Sequence, residues 1–505
     1  MSYFYTFFQQ AVGGPNASNT ADLRPLNNNA SRRARLEQRS TGDNVAFGRF
    51  TDLFSYAQRD AAAEISNGNI DLTAGRNAVI AHSDGDVVAD AGNELIGDFL
   101  RSNFAVGGRF ATVFATDSNG AVVADQDAVI DSRNSTIVAA VGNDLGANVQ
   151  NSTLVAEAGN DIVATQIKDS DAELVAGGDI LIGSVEGSNL TAVAGDDLDI
   201  VDVKDSVLNV GAVDDVTIDN ANHSAVTVTA GDDVSLTGQA VVADIVAGGN
   251  VTVDLKDSSL VVDAVGADTA GDDNGTVVAT LDNVAADIIA DTVEVAAVDS
   301  DIVIGSDSHG AKDVVAAIAD SNIDVTLDDN GSAIVSAEDS NVVIENGQSA
   351  TVLSDGSSAE MSADNNQFVG TGTVTQNGDN NVALTTADNP HGSANVVAQV
   401  GGNNTAVMNG DTVALQMTTG GSNTAQVNGG TNPTNVSLTQ VAMSNGGVAW
   451  NQANISNTGS AQTTINQTVN GGSNVLTFGD SFFTEFDLFA LGDLFSAFGA
   501  AWAGV

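Results

Sequence analysis

Three acidic pairs recur at fixed spacing: Asp196-Asp197, Asp214-Asp215 and Asp232-Asp233 stand 18 residues apart. Carboxylates are hard oxygen ligands, so stacked pairs of this kind are a candidate calcium ladder. An aspartate after glycine is also a turn former, whose side chain accepts amide hydrogens that no strand pairing satisfies. Both readings stand at this point. The Gly-Gly-x-Gly-x-Asp nonapeptide of calcium-binding repeats is absent.

Other chemistry has less to work with. His82, His223, His309 and His391 share neither ligand spacing nor a repeat phase. Lys168, Lys204 and Lys256 each precede Asp-Ser, which places them at one corner among stacked acids. No Gly-x-Ser-x-Gly, Walker loop or HExxH motif occurs. Solenoid lyases and glycosidases need an acid and a base converging on one groove. Periodic carboxylates fit a scaffold instead, so the expectation is that the chain is not an enzyme.

The elements that position these residues follow from two ladders in phase. Ser135, Ser152, Ser170, Ser188, Ser206 and Ser224 are spaced 17, then 18 four times. Asp144, Asp161, Asp179, Asp197, Asp215 and Asp233 repeat the same spacings. Gly142, Gly159, Gly177, Gly195 and Gly231 stand two residues before their aspartates, and Val213 breaks that row. Between the ladders apolar residues alternate, as in Leu190, Ala192, Ala194 and then Leu198, Ile200. Period-two alternation in short runs means strands with one buried face. Equal units of this kind stack as coils about 4.8 Å apart. The fold expected is an all-β parallel β-solenoid with coils of 17–18 residues. Glycine is expected to supply the positive-φ corner, and Leu208→Asp to be among the most damaging changes.

Composition agrees. The 505 residues include 53 glycines, 4 prolines and no cysteine, which excludes disulfide frameworks and thiolate metal sites. A net charge of -51 disfavours nucleic acid, since little could neutralise phosphate. No apolar run is long enough for a transmembrane segment. All 11 arginines lie between Arg24 and Arg133, seven of them in the first 60 residues; that cluster could bind nucleic acid or an anionic surface, and a basic leader docking on its own acidic body is the expectation favoured. Four segments are expected: an Arg-bearing leader or cap at 1–61, an acidic solenoid at 62–366, an Asn/Gln/Thr/Gly-rich section at 367–475, and an aromatic acidic segment at 476–505. That last segment holds seven phenylalanines from Phe478 to Phe498, with helical spacing at Phe482, Phe486 and Phe489.

Two resemblances add to this. Leu-Val-Ala-Gly-Gly-Asp-Ile-Leu-Ile (174–182) and Val-Thr-Ala-Gly-Asp-Asp-Val-Ser-Leu (228–236) resemble the repeats of filamentous-haemagglutinin-type adhesins, over about residues 75–260. That likeness implies a right-handed β-helix at a bacterial surface, although the N-terminal secretion domain of that family is not seen. Gln376-Asn-Gly378-Asp-Asn-Asn381-Val-Ala383 and Gln399-Val-Gly401-Gly-Asn-Asn404-Thr-Ala406 share Gln-x-Gly-x-x-Asn-x-Ala, 23 residues apart. Gln440/Asn445 and Gln452/Asn457 keep the five-residue offset. This section, about 376–475, is similar to the curlin repeats of biofilm fibres, which implies stacked Gln and Asn ladders.

The reading is a secreted or cell-surface structural protein: fibre, biofilm matrix or adhesin. It would polymerise with itself head to tail, driven mainly by residues 367–475, with surface polysaccharide or other matrix proteins as further partners. Residues 476–505 resemble uncleaved type I secretion signals. The alternatives are a calcium- or salt-stabilised surface-layer protein and a solenoid carbohydrate-active enzyme.

Overall fold

The computed structural model describes residues 3–10, 19–22, 32–264, 275–306, 309–386, 395–410, 412–429, 435–443, 449–456, 462–470 and 473–478. These residues form strands and turns and no helix. The chain divides into two compact units, Met1–Val246 and Ala247–Val505. Each is a parallel β-solenoid, as the ladders require.

In the first unit a coil holds two strands, and each strand pairs in parallel with its equivalent one coil away. Ala128–Arg133 pairs with Leu145–Gln150, Ala128 opposite Leu145, an offset of 17 residues. Ile180–Glu186 pairs with Leu198–Lys204, Ile180 opposite Leu198, an offset of 18. The change from 17 to 18 is a bulge: Ala147 opposes Ala164, but Asn148 opposes Gln166. Each strand buries alternate residues. Leu190, Ala192 and Ala194 are at most 2% exposed, while Asn189, Thr191 and Val193 face out. Stacking such inward rows is what makes the coil stable, since each buried Leu, Ile or Val contributes about 1.5–3 kcal/mol.

The stack begins upstream of the boundary expected at residue 62. Tyr3–Gln10 pairs with Arg32–Ser40, which pairs with Thr51–Ala57. Asn19–Asp22 pairs with Asn44–Arg49, which pairs with Ala61–Ser66. Within the expected leader Arg35 pairs with Glu37 of its own strand and Arg59 with Asp43, also of the leader. Arg76 and Arg101, beyond it, pair with acids of the neighbouring coil. Arg76 Nε reaches Asp60 Oδ1 at 2.8 Å, and Arg101 grips both oxygens of Asp84 at 2.7 and 2.9 Å.

One corner differs from expectation. Gly142, Gly159, Gly177, Gly195 and Gly231 do not adopt positive φ. Positive φ falls at the other corner, on Asn134 (49°), Asn151 (48°), Asp169 (48°), Gly187 (59°) and Asp205 (49°), each immediately before a ladder serine. Asn and Asp tolerate this region because their short side chains bond locally. The Gly-x-Asp glycines serve close approach instead. A Cβ on Gly177 would lie 2.3 Å from Gly159 O, and one on Gly195 would lie 2.2 Å from Gly177 O.

In the second unit the coils vary more in length. Val277 opposes Val293, Val293 opposes Val314, and Ala333 opposes Ala350. From Asn365 the strands lengthen: Asn365–Thr385, Asn395–Gly410 and Thr412–Gly429 stack in turn. The aromatic segment expected at 476–505 lies, from residue 479 onward, outside the described residues. Leu476 to Phe478 end the strand Ser473–Phe478.

Candidate functional site

Serine closes the positive-φ corner. Each ladder serine donates its hydroxyl to the carbonyl two residues back, as Ser135 Oγ does to Arg133 O at 2.7 Å and Ser152 Oγ to Gln150 O at 2.7 Å. The same oxygen accepts the N–H of the serine one coil earlier: Ser135 N to Ser152 Oγ is 3.1 Å, and Ser152 N to Ser170 Oγ is 3.0 Å. Ser188, Ser206 and Ser224 continue the row. These serines are 4–6% exposed. A buried corner amide that would otherwise cost about 1–3 kcal/mol is satisfied in this way. In the second unit Ser300, Ser321, Ser340 and Ser357 form the same row. Beside the corner, Lys168 Nζ pairs with Glu186 Oε2 at 2.7 Å, which raises the lysine pKa and lowers that of the glutamate.

The six candidate ligands form two rows at the opposite corner. In the inner row each carboxylate accepts the backbone N–H of the next aspartate: Asp197 N to Asp179 Oδ1 is 3.2 Å, Asp215 N to Asp197 Oδ1 is 3.1 Å, and Asp233 N to Asp215 Oδ1 is 2.9 Å. Asp196, Asp214 and Asp232 form the exposed outer row. One carboxylate oxygen from each of Asp196, Asp197 and Asp214 lies within 4.8 Å of the others, and Asp214, Asp215 and Asp232 repeat the arrangement. Asp197 raises the pKa of Asp196, and Asp233 that of Asp232, by like charge. Each trio can offer a hard cation three oxygens, with water completing the shell. The inner-row oxygens are also committed to turn amides.

The polar section builds its ladders inside the coil. Asn366, Asn381, Asn404, Asn423, Asn451 and Asn474 are linked amide to carbonyl, each Nδ2 to the next Oδ1 at 2.8–3.0 Å. Asn381, Asn404, Asn423 and Asn451 are at most 1% exposed. A second rung runs antiparallel in donor direction: Gln399 Nε2 donates back to Gln376 Oε1, and Gln467 Nε2 to Gln440 Oε1, both at 2.7 Å. Met417 interrupts it, opposite Gln399 on one side and Gln440 on the other. The five-residue offset holds for Gln376/Asn381 and Gln399/Asn404 but not beyond. The partner of Gln440 in its coil is Asn451, Gln452 faces out, and Asn445 and Asn457 lie outside the described residues.

Non-periodic residues are few. A groove of about 510 Å³ is lined by Arg49, Glu64, His82 and Asp98. His82 is 4% exposed, with Nε2 at 2.7 Å from Gly68 O and Nδ1 at 2.7 Å from Ser102 Oγ, and burial lowers its pKa. It is a core histidine with both nitrogens engaged. Asp291, which nothing in the repeat pattern marked, is buried between His309 Nε2 (3.0 Å) and Lys312 Nζ (2.7 Å). Among the described residues no helix is long and apolar enough to cross a membrane.

Ladders of Ser, Asp, Asn and Gln that repeat once per coil define a β-solenoid repeat protein. The chain matches no protein-family model, no curated protein and no solved structure.

Proposed function

We propose that the chain is a secreted or cell-surface structural protein whose solenoid is the functional element, serving as fibre, biofilm matrix or adhesin rather than as an enzyme. The observation that carries this reading is the six-rung asparagine ladder from Asn366 to Asn474. Such a ladder fixes coil against coil in one register and spends its polar groups on stacking. The described carboxylates that converge in threes, closely enough to share a cation, do so in corner rows, as a scaffold would have them. The haemagglutinin-like and curlin-like character of the repeats belongs to the same reading.

Assembly along the solenoid axis is the working form. Negative-stain microscopy and sedimentation of the full chain, with and without calcium, test it: filaments are expected, and a chain that stays monomeric at high concentration contradicts it. Export is assigned to residues 476–505. Deleting them should trap the protein in the cell, and normal export of that truncation would overturn the assignment.

The acidic trios favour one variant of this reading, a cation-stabilised surface layer. It differs in requiring calcium for assembly, which the same microscopy reads directly.

A further inference from the structure

The bonds from rung to backbone in the polar section recur in the first unit, although among the described residues Asn44 Oδ1 and Gln38 Oε1 accept no bond there. In the first unit Gln38 and Asn44 are each 1% exposed. Gln38 Nε2 donates to the carbonyl of Val45, the residue after Asn44, at 3.2 Å. Gln376, Gln399 and Gln440 make the same bond, to Val382 O, Thr405 O and Gln452 O, each following the ladder asparagine of its coil. Asn44 Nδ2 donates to Tyr56 O in the next coil at 2.9 Å, as Asn381 does to Val400 O and Asn404 to Thr418 O. One coil earlier, Gln9 holds the register position opposite Gln38, and Asn19 the one opposite Asn44. Asn19 Nδ2 donates to Arg39 O at 3.0 Å, repeating the pattern.

At the other end burial falls off at the last described rung. Leu438, Gln440 and Asn451 are fully buried, while Ile465, Gln467 and Asn474, one coil on, are half-buried. Asn451 donates forward to Thr468 O (2.8 Å) and Asn474 Oδ1 (2.9 Å). Asn474 donates to Gln467 O within its own coil, and no described rung follows. The polarity of the ladder states what must come next. Asparagine amides donate towards the C-terminal coil and glutamine amides towards the N-terminal one, so the next coil must bring a glutamine donor and an asparagine acceptor.

We infer that this coil comes from a second copy of the chain, stacked head to tail with Gln9 over Gln467 and Asn19 over Asn474. The inference rests on the fibre reading above and names the contact that builds it. In that register Asn474 Nδ2 donates to Asn19 Oδ1 and Gln10 O of the second copy, and Gln9 takes the register position over Gln467 that Gln467 takes over Gln440. Ala21 then stands over Leu476, apolar on apolar. A tail-to-tail stack would set amide against amide.

The chain has no cysteine, so single cysteines report the register directly. Gln10→Cys and Thr468→Cys place one thiol at each end of the full chain, Thr468 being exposed. Stacked strands lie about 4.8 Å apart, within disulfide reach. Oxidising a mixture of the two variants should link them as pairs, while either alone should not link. Thr464→Cys, four residues or roughly 13 Å out of register, should give no link with Gln10→Cys. Circular dichroism checks that each variant keeps its β signal. Gln467→Leu with Asn474→Leu should raise the concentration needed for assembly by roughly tenfold or more, whereas Val475→Ser, on an exposed residue, should not. Filaments without the mixed disulfide overturn this contact and leave the fibre reading standing. Absence of any assembly overturns both.

Discussion

Gln399 and Met417 oppose each other in adjacent strands, and the thioether gives no donor to the buried Oε1 of Gln399. On the far side Gln440 Nε2 meets Met417 Sδ at 3.5 Å. Met417→Gln should restore the rung on both sides. The expected gain is about 1–2 kcal/mol, read as a higher Tm by circular dichroism. A lower Tm would mean that the bulge between Gly401 and Asn403 keeps a residue at 417 from reaching the rung.

The two corners make opposite demands on glycine. Ala240 sits at φ 55°, so Ala240→Gly should gain up to about 1 kcal/mol. Gly195→Ala drives a methyl group to 2.2 Å from Gly177 O and should lose about 1–3 kcal/mol. Denaturant unfolding tests each corner separately: no gain from Ala240→Gly would contradict the positive-φ corner, and no loss from Gly195→Ala would contradict the close approach.

The serine row predicts a local cost. Ser170→Ala removes the acceptor of Ser152 N–H and the donor to Lys168 O. About 1–3 kcal/mol should be lost, with faster hydrogen exchange at the Ser152 amide. Leu208, 1% exposed, is a harsher site, and Leu208→Asp should cost on the order of 4 kcal/mol or more.

Acidity provides a pH test. Asp197 and Asp233 hold the carboxyls of Asp196 and Asp232 above the usual range. A raised folded pKa gives stability that is full below the unfolded value and lost as pH rises through the folded one. Asp196→Asn with Asp232→Asn should therefore raise the Tm at neutral pH, and the gain should vanish by about pH 3. Asp60, Asp84 and Glu186 run the other way. Arg76, Arg101 and Lys168 lower their pKa values, so their contribution is present at neutral pH and lost as pH falls through those lowered values. It is common to both proteins and cancels in the comparison. Calcium or high salt should raise the wild-type Tm and do less for the double variant. A Tm that ignores both would leave the turn hydrogen bonds as the whole explanation of the ladder.

How much of this was legible follows from what period-counting can detect. The serine and aspartate rows repeat at the coil length, so Ser135 to Ser224 disclosed the coil and its inward residues. The bulge opposite Ala147 explains why the first interval is shorter than the rest. The glycine row was equally visible, but its purpose was not: close approach and positive φ both select glycine, and only backbone geometry separates them. The Gln and Asn rungs were legible where five residues separate them, as in Gln376/Asn381. Gln440/Asn451 and Gln467/Asn474 were not, because a longer corner changes the offset without changing the register. The same effect hid Gln38/Asn44 and Gln9/Asn19 among residues that read as a leader. Asp291 lay outside any count, since its partners His309 and Lys312 belong to an irregular coil.

The most direct test of the structural reading is fibre diffraction from aligned full-length protein, concentrated in calcium and salt. Coils stacked along the filament axis should give a meridional reflection near 4.8 Å. A protein that yields no filaments, or filaments whose 4.8 Å reflection lies off the axis, would contradict assembly by end-to-end stacking of the solenoid.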